Sequence, residues 1–135
     1  MRRATRLLVP ALAVLLGGGC KDQAPDAQLA NCPDPVAGCR FEVGGETVRL
    51  RFSQPPRAMR PFVMEVEAPR AVAVAADFTM PGMDMLPNHH DLAQGPDGRW
   101  HAAVVLPVCI SGRADWHLAL TVGDQRASVP FSAKR

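Results

Sequence analysis

The residues best suited to chemistry crowd into one segment, Phe78–His90, which reads FTMPGMDMLPNHH. Three of the six methionines, Met80, Met83 and Met85, lie in it, and His89 and His90, two of the four histidines, close it. A thioether is a soft, uncharged donor that suits Cu(I) and does not form disulfides as a thiolate does. Met83 and Met85 are two apart, so in extended chain both point to one side. Pro81-Gly82 turns the chain and brings Met80 back toward them, and His89 or His90 adds an imidazole. The competing reading is packing. Met80 falls on the apolar register of its strand, and methionine fills irregular gaps in cores. His89 and His90 then sit in a solvated loop.

Four cysteines, at 20, 32, 39 and 109, add a second set of sulfurs. Cys20 follows three small residues, Gly17–Gly19, an apolar run Leu7–Leu16, and the cations Arg2, Arg3 and Arg6. That order is a signal peptide ending at a lipidated cysteine. The run is about ten residues, half of the roughly 20 needed to span a bilayer. In the usual lipobox, leucine stands three places before the cysteine. Here Leu16 stands four before, and Gly17 fills the third. Lys21 is not the aspartate that retains such proteins at the inner membrane in enteric bacteria, which directs the anchor to the outer membrane, facing the periplasm. With Cys20 acylated, three thiols remain in an oxidising compartment, enough for one bridge and one leftover. Cys32–Cys39 encloses only six residues. Cys39–Cys109 would staple the first strand to a central one.

Charge limits the partners. Of the 15 basic residues three lie within 1–19, and of the 13 acidic residues none does, so residues 20–135 carry 12 positive and 13 negative charges, net −1. That argues against nucleic acid and against a strong pull to anionic lipid. Enzyme patterns are weak. Ser111 lacks a Gly-x-Ser-x-Gly elbow. Asp84, Asp91, Asp97 and Asp115 read as turn or capping acids. His101 and His117 lie on polar strand registers where they could be cross-strand neighbours, without an HExxH spacing or a third orienting group. No phosphate-binding glycine loop is present. The chain reads as a non-enzyme.

The elements that must hold these groups are strands. Val48, Leu50 and Phe52 alternate with Arg49 and Arg51, and Phe62, Met64 and Val66 alternate with Val63, Glu65 and Glu67. The same period of two runs through Val72–Phe78, Trp100–Leu106, Trp116–Val122 and Ala127–Phe131. Gly44-Gly45 and Gly123-Asp124 are hairpin turn signals. The spacing predicts an all-β, immunoglobulin-like sandwich of about seven strands over residues 39–135, after a signal peptide (1–19) and a flexible, lipid-anchored tether (20–38) rich in Pro, Ala, Asp and Gln. Counting chain reversals gives a conditional expectation. With a short strand near 87–93, Cys39, the methionine loop and Cys109 share one pole, and a free Cys109 stands beside Met83 and Met85. Without it, Cys109 moves to the other pole.

The run Phe78-Thr79-Met80-Pro81-Gly82-Met83-Asp84-Met85, then Gly98-Arg99-Trp100-His101-Ala102, then Leu106-Pro107-Val108-Cys109 with Gly112 and Trp116, resembles the YtkA-like and FixH-like exported domains over residues 60–122. That resemblance implies an immunoglobulin-like sandwich found near copper-handling or cytochrome-oxidase assembly functions. FixH-like proteins carry a transmembrane helix where this chain has a lipid signal, and Cys32, Cys39 and Cys109 lie outside the shared pattern. Two functions are expected from these readings. One is a periplasmic Cu(I) chaperone or buffer meeting copper-handling proteins. The other is a metal-free structural or interaction lipoprotein of the envelope.

Overall fold

A computed structural model describes residues 27–135 and shows an all-β sandwich. The signal peptide, Cys20 and Lys21 lie outside the described residues. Among those described, no helix is long and apolar enough to cross a membrane.

Ten strands form two five-stranded sheets: β1 (Gln28–Leu29), β2 (Cys39–Val43), β3 (Glu46–Phe52), β4 (Phe62–Glu67), β5 (Val74–Thr79), β6 (Asn88–Asp91), β7 (Ala93–Gln94), β8 (Trp100–Val104), β9 (Asp115–Val122) and β10 (Gln125–Ser132). One sheet runs β1-β10-β9-β5-β6, the other β2-β3-β4-β8-β7. The count exceeds seven because β1 and β7 are two-residue edge strands and β6 is a short one, too brief to show a period of two.

The expected registers hold for most strands. Val48, Leu50 and Phe52 are buried, as are Phe62, Met64 and Val66, and Trp116, Leu118, Leu120 and Val122. Alternate residues face water, so each sheet buries one face against the other. One register is shorter than expected: β5 starts at Val74, and Val72 is 89% exposed in the turn before it. Both hairpin signals are used. Gly44 and Gly45 both have positive φ, at 55° and 80°, joining β2 to β3 in the manner of a type I′ turn. No larger residue fits at Gly44, where a Cβ would lie 2.3 Å from the Gln125 side chain.

The segment expected to be a tether is part of the sandwich over its described residues. From Gln28 onward the chain belongs to the sandwich: β1 pairs in parallel with β10, and Ala30 and Cys32 are buried. The Cys32–Cys39 disulfide closes the segment, with an S–S distance of 2.11 Å. Inside it the Asp34 carboxylate accepts the backbone N–H groups of Val36 (2.9 Å) and Ala37 (3.3 Å), and the Pro35 carbonyl accepts that of Phe52 (2.9 Å). These are local side-chain and covalent devices. They order a segment that has no apolar period, which is why composition alone reads it as a linker.

β3, β5, β8 and β10 end, and β4 and β9 begin, at one pole of the sandwich. Four of the five phenylalanines pack beneath it. Phe52 and Phe62 come from one sheet, Phe78 and Phe131 from the other, with ring centroids 4.9–6.3 Å apart in tilted or edge-on contacts. Such pairs add to the area they bury. They make a stiff floor for the loops above.

Candidate functional site

Two loops cross that floor, Met80–Pro87 between β5 and β6 and Val105–Ala114 between β8 and β9. The first opens with a tight turn. The Met83 N–H donates to the Met80 carbonyl (3.2 Å) across Pro81-Gly82, with Gly82 at φ 73°. Proline second and left-handed glycine third is the signature of a type II turn. The Met85 N–H then donates to the Met83 carbonyl (3.2 Å), a further, three-residue turn. The chain here is not extended, so Met83 and Met85 do not share a side in the simple way alternation implies.

The second loop turns at Cys109–Gly112, where the Gly112 N–H donates to the Cys109 carbonyl (3.1 Å). The two turns place Cys109 Sγ 3.5 Å from Met83 Sδ. Cys109 is the free thiol of the described residues, half-buried, while Met83 is 37% exposed. The conditional expectation about Cys109 is met on its first branch: β6 is the short strand near 87–93 that carries the chain away from this pole, so that β8 returns it there and delivers Cys109 beside Met83.

The groups around the thiol lower its pKa. Ser111 Oγ lies 2.8 Å from Cys109 Sγ. Its hydrogen bond, then those of the Ser111 and Arg113 backbone N–H groups, then the Arg113 charge, hold the thiol below its ordinary range against the opposing effect of desolvation. Arg113 is itself fixed by a two-pronged pair with Asp115, Nε to Oδ1 at 2.9 Å and Nη2 to Oδ2. The site therefore offers one free thiol and one thioether, both reachable from solvent.

The other expected ligands are placed elsewhere. Met80 is 3% exposed and continues the buried register Val74, Ala76, Phe78, so it is core filler. Met85 is half-buried and packs against the core. His89 and His90 fall on opposite faces of β6. The His89 ring is held by two carboxylates, Nδ1 to Asp77 at 2.6 Å and Nε2 to Asp91 at 3.2 Å, on a strand face away from the sulfur pair. Those carboxylates, Asp77 first, raise its pKa. His90 turns inward, edge-on to Phe78 at 5.8 Å, with Nε2 buried and unpartnered, and burial lowers its pKa. Sequence reasoning missed the Asp77–His89 pairing because it arises from the β5–β6 register, across 12 residues. His101 and His117 do not meet, since β8 and β9 belong to different sheets. His101 faces Glu65 and Asp97 instead.

The two neighbouring histidines should titrate in opposite directions from an ordinary imidazole. His89 gains its carboxylate partners on folding, so its stabilising effect is complete below the unfolded pKa and fades as pH rises through its raised folded value. His90 is favoured neutral, so its contribution is lost as pH falls through its lowered value. Proton NMR of the ring C–H signals should show the His89 midpoint above that of His90, and the reverse order would contradict this placement.

No protein family, no curated protein and no solved structure matches the chain. The site is accordingly read from its own geometry. Among the described residues no group of three or more His, Cys, Asp and Glu side chains converges as a metal centre. That leaves the Met83–Cys109 sulfur pair as the arrangement with distinctive chemistry.

Proposed function

We propose that this chain is an exported, lipid-anchored envelope protein that carries Cu(I) on Met83 Sδ and Cys109 Sγ as a copper chaperone or buffer. The observation that carries the reading is the 3.5 Å approach of two soft sulfurs from separate loops. At a metal–sulfur bond of about 2.3 Å, two sulfurs on one ion lie roughly 3.8 Å apart in a tetrahedron and roughly 4 Å in a trigonal plane. A few tenths of an ångström of side-chain adjustment brings this pair to that spacing, so the donors fit the ion. Thiolate with thioether is a donor set that selects Cu(I) over hard cations. Two protein sulfurs leave the ion open to a further ligand from a partner, which suits exchange better than storage.

Replacing Cys20 by Ser is expected to move the protein out of the membrane fraction or to leave the precursor uncleaved. Unchanged membrane fractionation and processing would refute the anchor.

The metal reading is tested by competition against a chromophoric Cu(I) chelator under reducing conditions. Wild type should withdraw one Cu(I) per chain. Met83→Leu keeps the volume and apolarity, and should weaken retention by about tenfold, about 1.4 kcal/mol. Met80→Leu should not. Equal effects from both changes, or no competition by wild type, would reject the pair as a ligand set.

A second reading, a metal-free interaction lipoprotein, is favoured by one observation. Six of the nine exposed large apolar side chains among the described residues, Met59, Met83, Leu86, Val105, Val108 and Ile110, lie on the loops of this pole. Clustered exposure of that kind marks contact surfaces.

A further inference from the structure

Beside the sulfur pole is a small basic cavity that the copper reading does not use. It measures about 430 Å³ and is lined by Gln54, Pro55, Arg57, Arg60 and Lys134. Three of the five lining residues are cations and none is acidic. Among the described residues, no carboxylate lies within ion-pair distance of Arg57, Arg60 or Lys134. Of the other arginines described, Arg49, Arg99, Arg113 and Arg126 are paired, whereas Arg40, Arg51, Arg70 and Arg135 share the lack of an ion pair but do not line this cavity.

The backbone brings the three together deliberately. Arg57 bridges to both Arg60 and Lys134. The Ala58 N–H donates to the Lys134 carbonyl (2.8 Å), the Lys134 N–H to the Pro56 carbonyl (2.9 Å) and the Arg60 N–H to the Arg57 carbonyl (3.2 Å). The turn Arg57–Arg60 has Met59 at φ 59°, the one non-glycine with positive φ among the described residues. Left-handed backbone is costly for a side chain without a local polar partner. Backbone pairing thus sets three exposed cations around one cavity.

We propose that this cavity is a binding site for a phosphate-type oxyanion, as a free ion or as the headgroup of an anionic lipid. Two guanidinium forks and one ammonium supply charge-assisted donors that match a tetrahedral oxyanion, and arginine in particular binds phosphate oxygens in pairs. A cavity of this size has room for an ion or a headgroup. The Met59 N–H donates to the Leu106 carbonyl (2.9 Å), which ties the cavity wall to the strand end leading to Cys109. The site stands independently of copper, and its test involves no metal.

The test uses residues 20–135 carrying Cys20→Ser, which retain the whole described sandwich. Inorganic phosphate should raise the thermal midpoint saturably, beyond sodium chloride at equal ionic strength, as expected for a ligand of the folded state. Arg57→Gln with Arg60→Gln should weaken that binding at least tenfold. Should the double variant not fold, Lys134→Gln, which leaves the turn intact, should weaken it measurably. In a second arm, flotation with phosphatidylglycerol vesicles is compared with phosphatidylcholine vesicles. Phosphate binding lost in the variants supports a free oxyanion. Selective vesicle binding lost in the variants, without phosphate binding, supports a headgroup. Equal effects of phosphate and chloride with no vesicle selectivity, or variants indistinguishable from wild type in both arms, would overturn the proposal.

Discussion

Cys109→Ser should lower the affinity for Cu(I) by more than about 100-fold, since loss of a hydrogen-bonding partner one shell further from a metal already costs about 10- to 100-fold. The serine hydroxyl is similar in size, so the loop should survive. The Gly112 N–H still reaches the carbonyl of residue 109, and Arg113 keeps its pair with Asp115. What disappears is the soft anionic donor beside Met83. Cys109→Ser should therefore exceed Met83→Leu in effect, because an ionised thiol binds a soft cation more strongly than an uncharged thioether. A chelator competition in which Cys109→Ser retains wild-type affinity would remove the thiol from the site. Far-UV circular dichroism on the same sample separates loss of a ligand from loss of the fold.

Phe78→Ala should destabilise the sandwich by about 3–5 kcal/mol, the usual cost of deleting a fully buried aromatic side chain. Phe78 is 0% exposed and sits at the centre of the aromatic floor, edge-on to Phe62 at 6.3 Å and to Phe131 at 6.0 Å. It joins the two sheets, since Phe62 belongs to one and Phe131 to the other. Its removal opens a cavity that neighbours on two rigid sheets cannot readily fill. Because the floor lies under both functional loops, the variant should also loosen the Met83–Cys109 approach. Chemical denaturation should show a large fall in midpoint. A loss below about 1 kcal/mol would mean that the site repacks, contrary to a tightly filled core.

The strands were legible where one face is buried. Val48-Leu50-Phe52 and Trp116-Leu118-Leu120-Val122 alternate cleanly because the sheets pack on one side and meet water on the other. Legibility failed where order does not come from alternation. Residues 28–38 are held by a two-residue parallel pairing, an aspartate-capped turn and a disulfide, none of which leaves a hydrophobic period. The Cys32–Cys39 bridge itself was readable from its short spacing. At the site, the Pro81-Gly82 turn followed from turn chemistry, while the count of chain reversals left Cys109 at either pole, a choice that β6 decides. The apolar register already offered Met80 as core filler, which its burial bears out, whereas His89 could be placed only by its cross-strand partner Asp77.

If sulfur alone from this chain holds one Cu(I), at Met83 and Cys109, copper K-edge X-ray absorption on the reduced protein loaded with one equivalent of Cu(I) should show a Cu(I) edge and sulfur scatterers at about 2.3 Å. No imidazole multiple-scattering pattern is expected, because His89 is engaged by Asp77 and Asp91 and His90 is turned inward. A first shell dominated by nitrogen or oxygen, or an imidazole signature, would contradict sulfur-only binding.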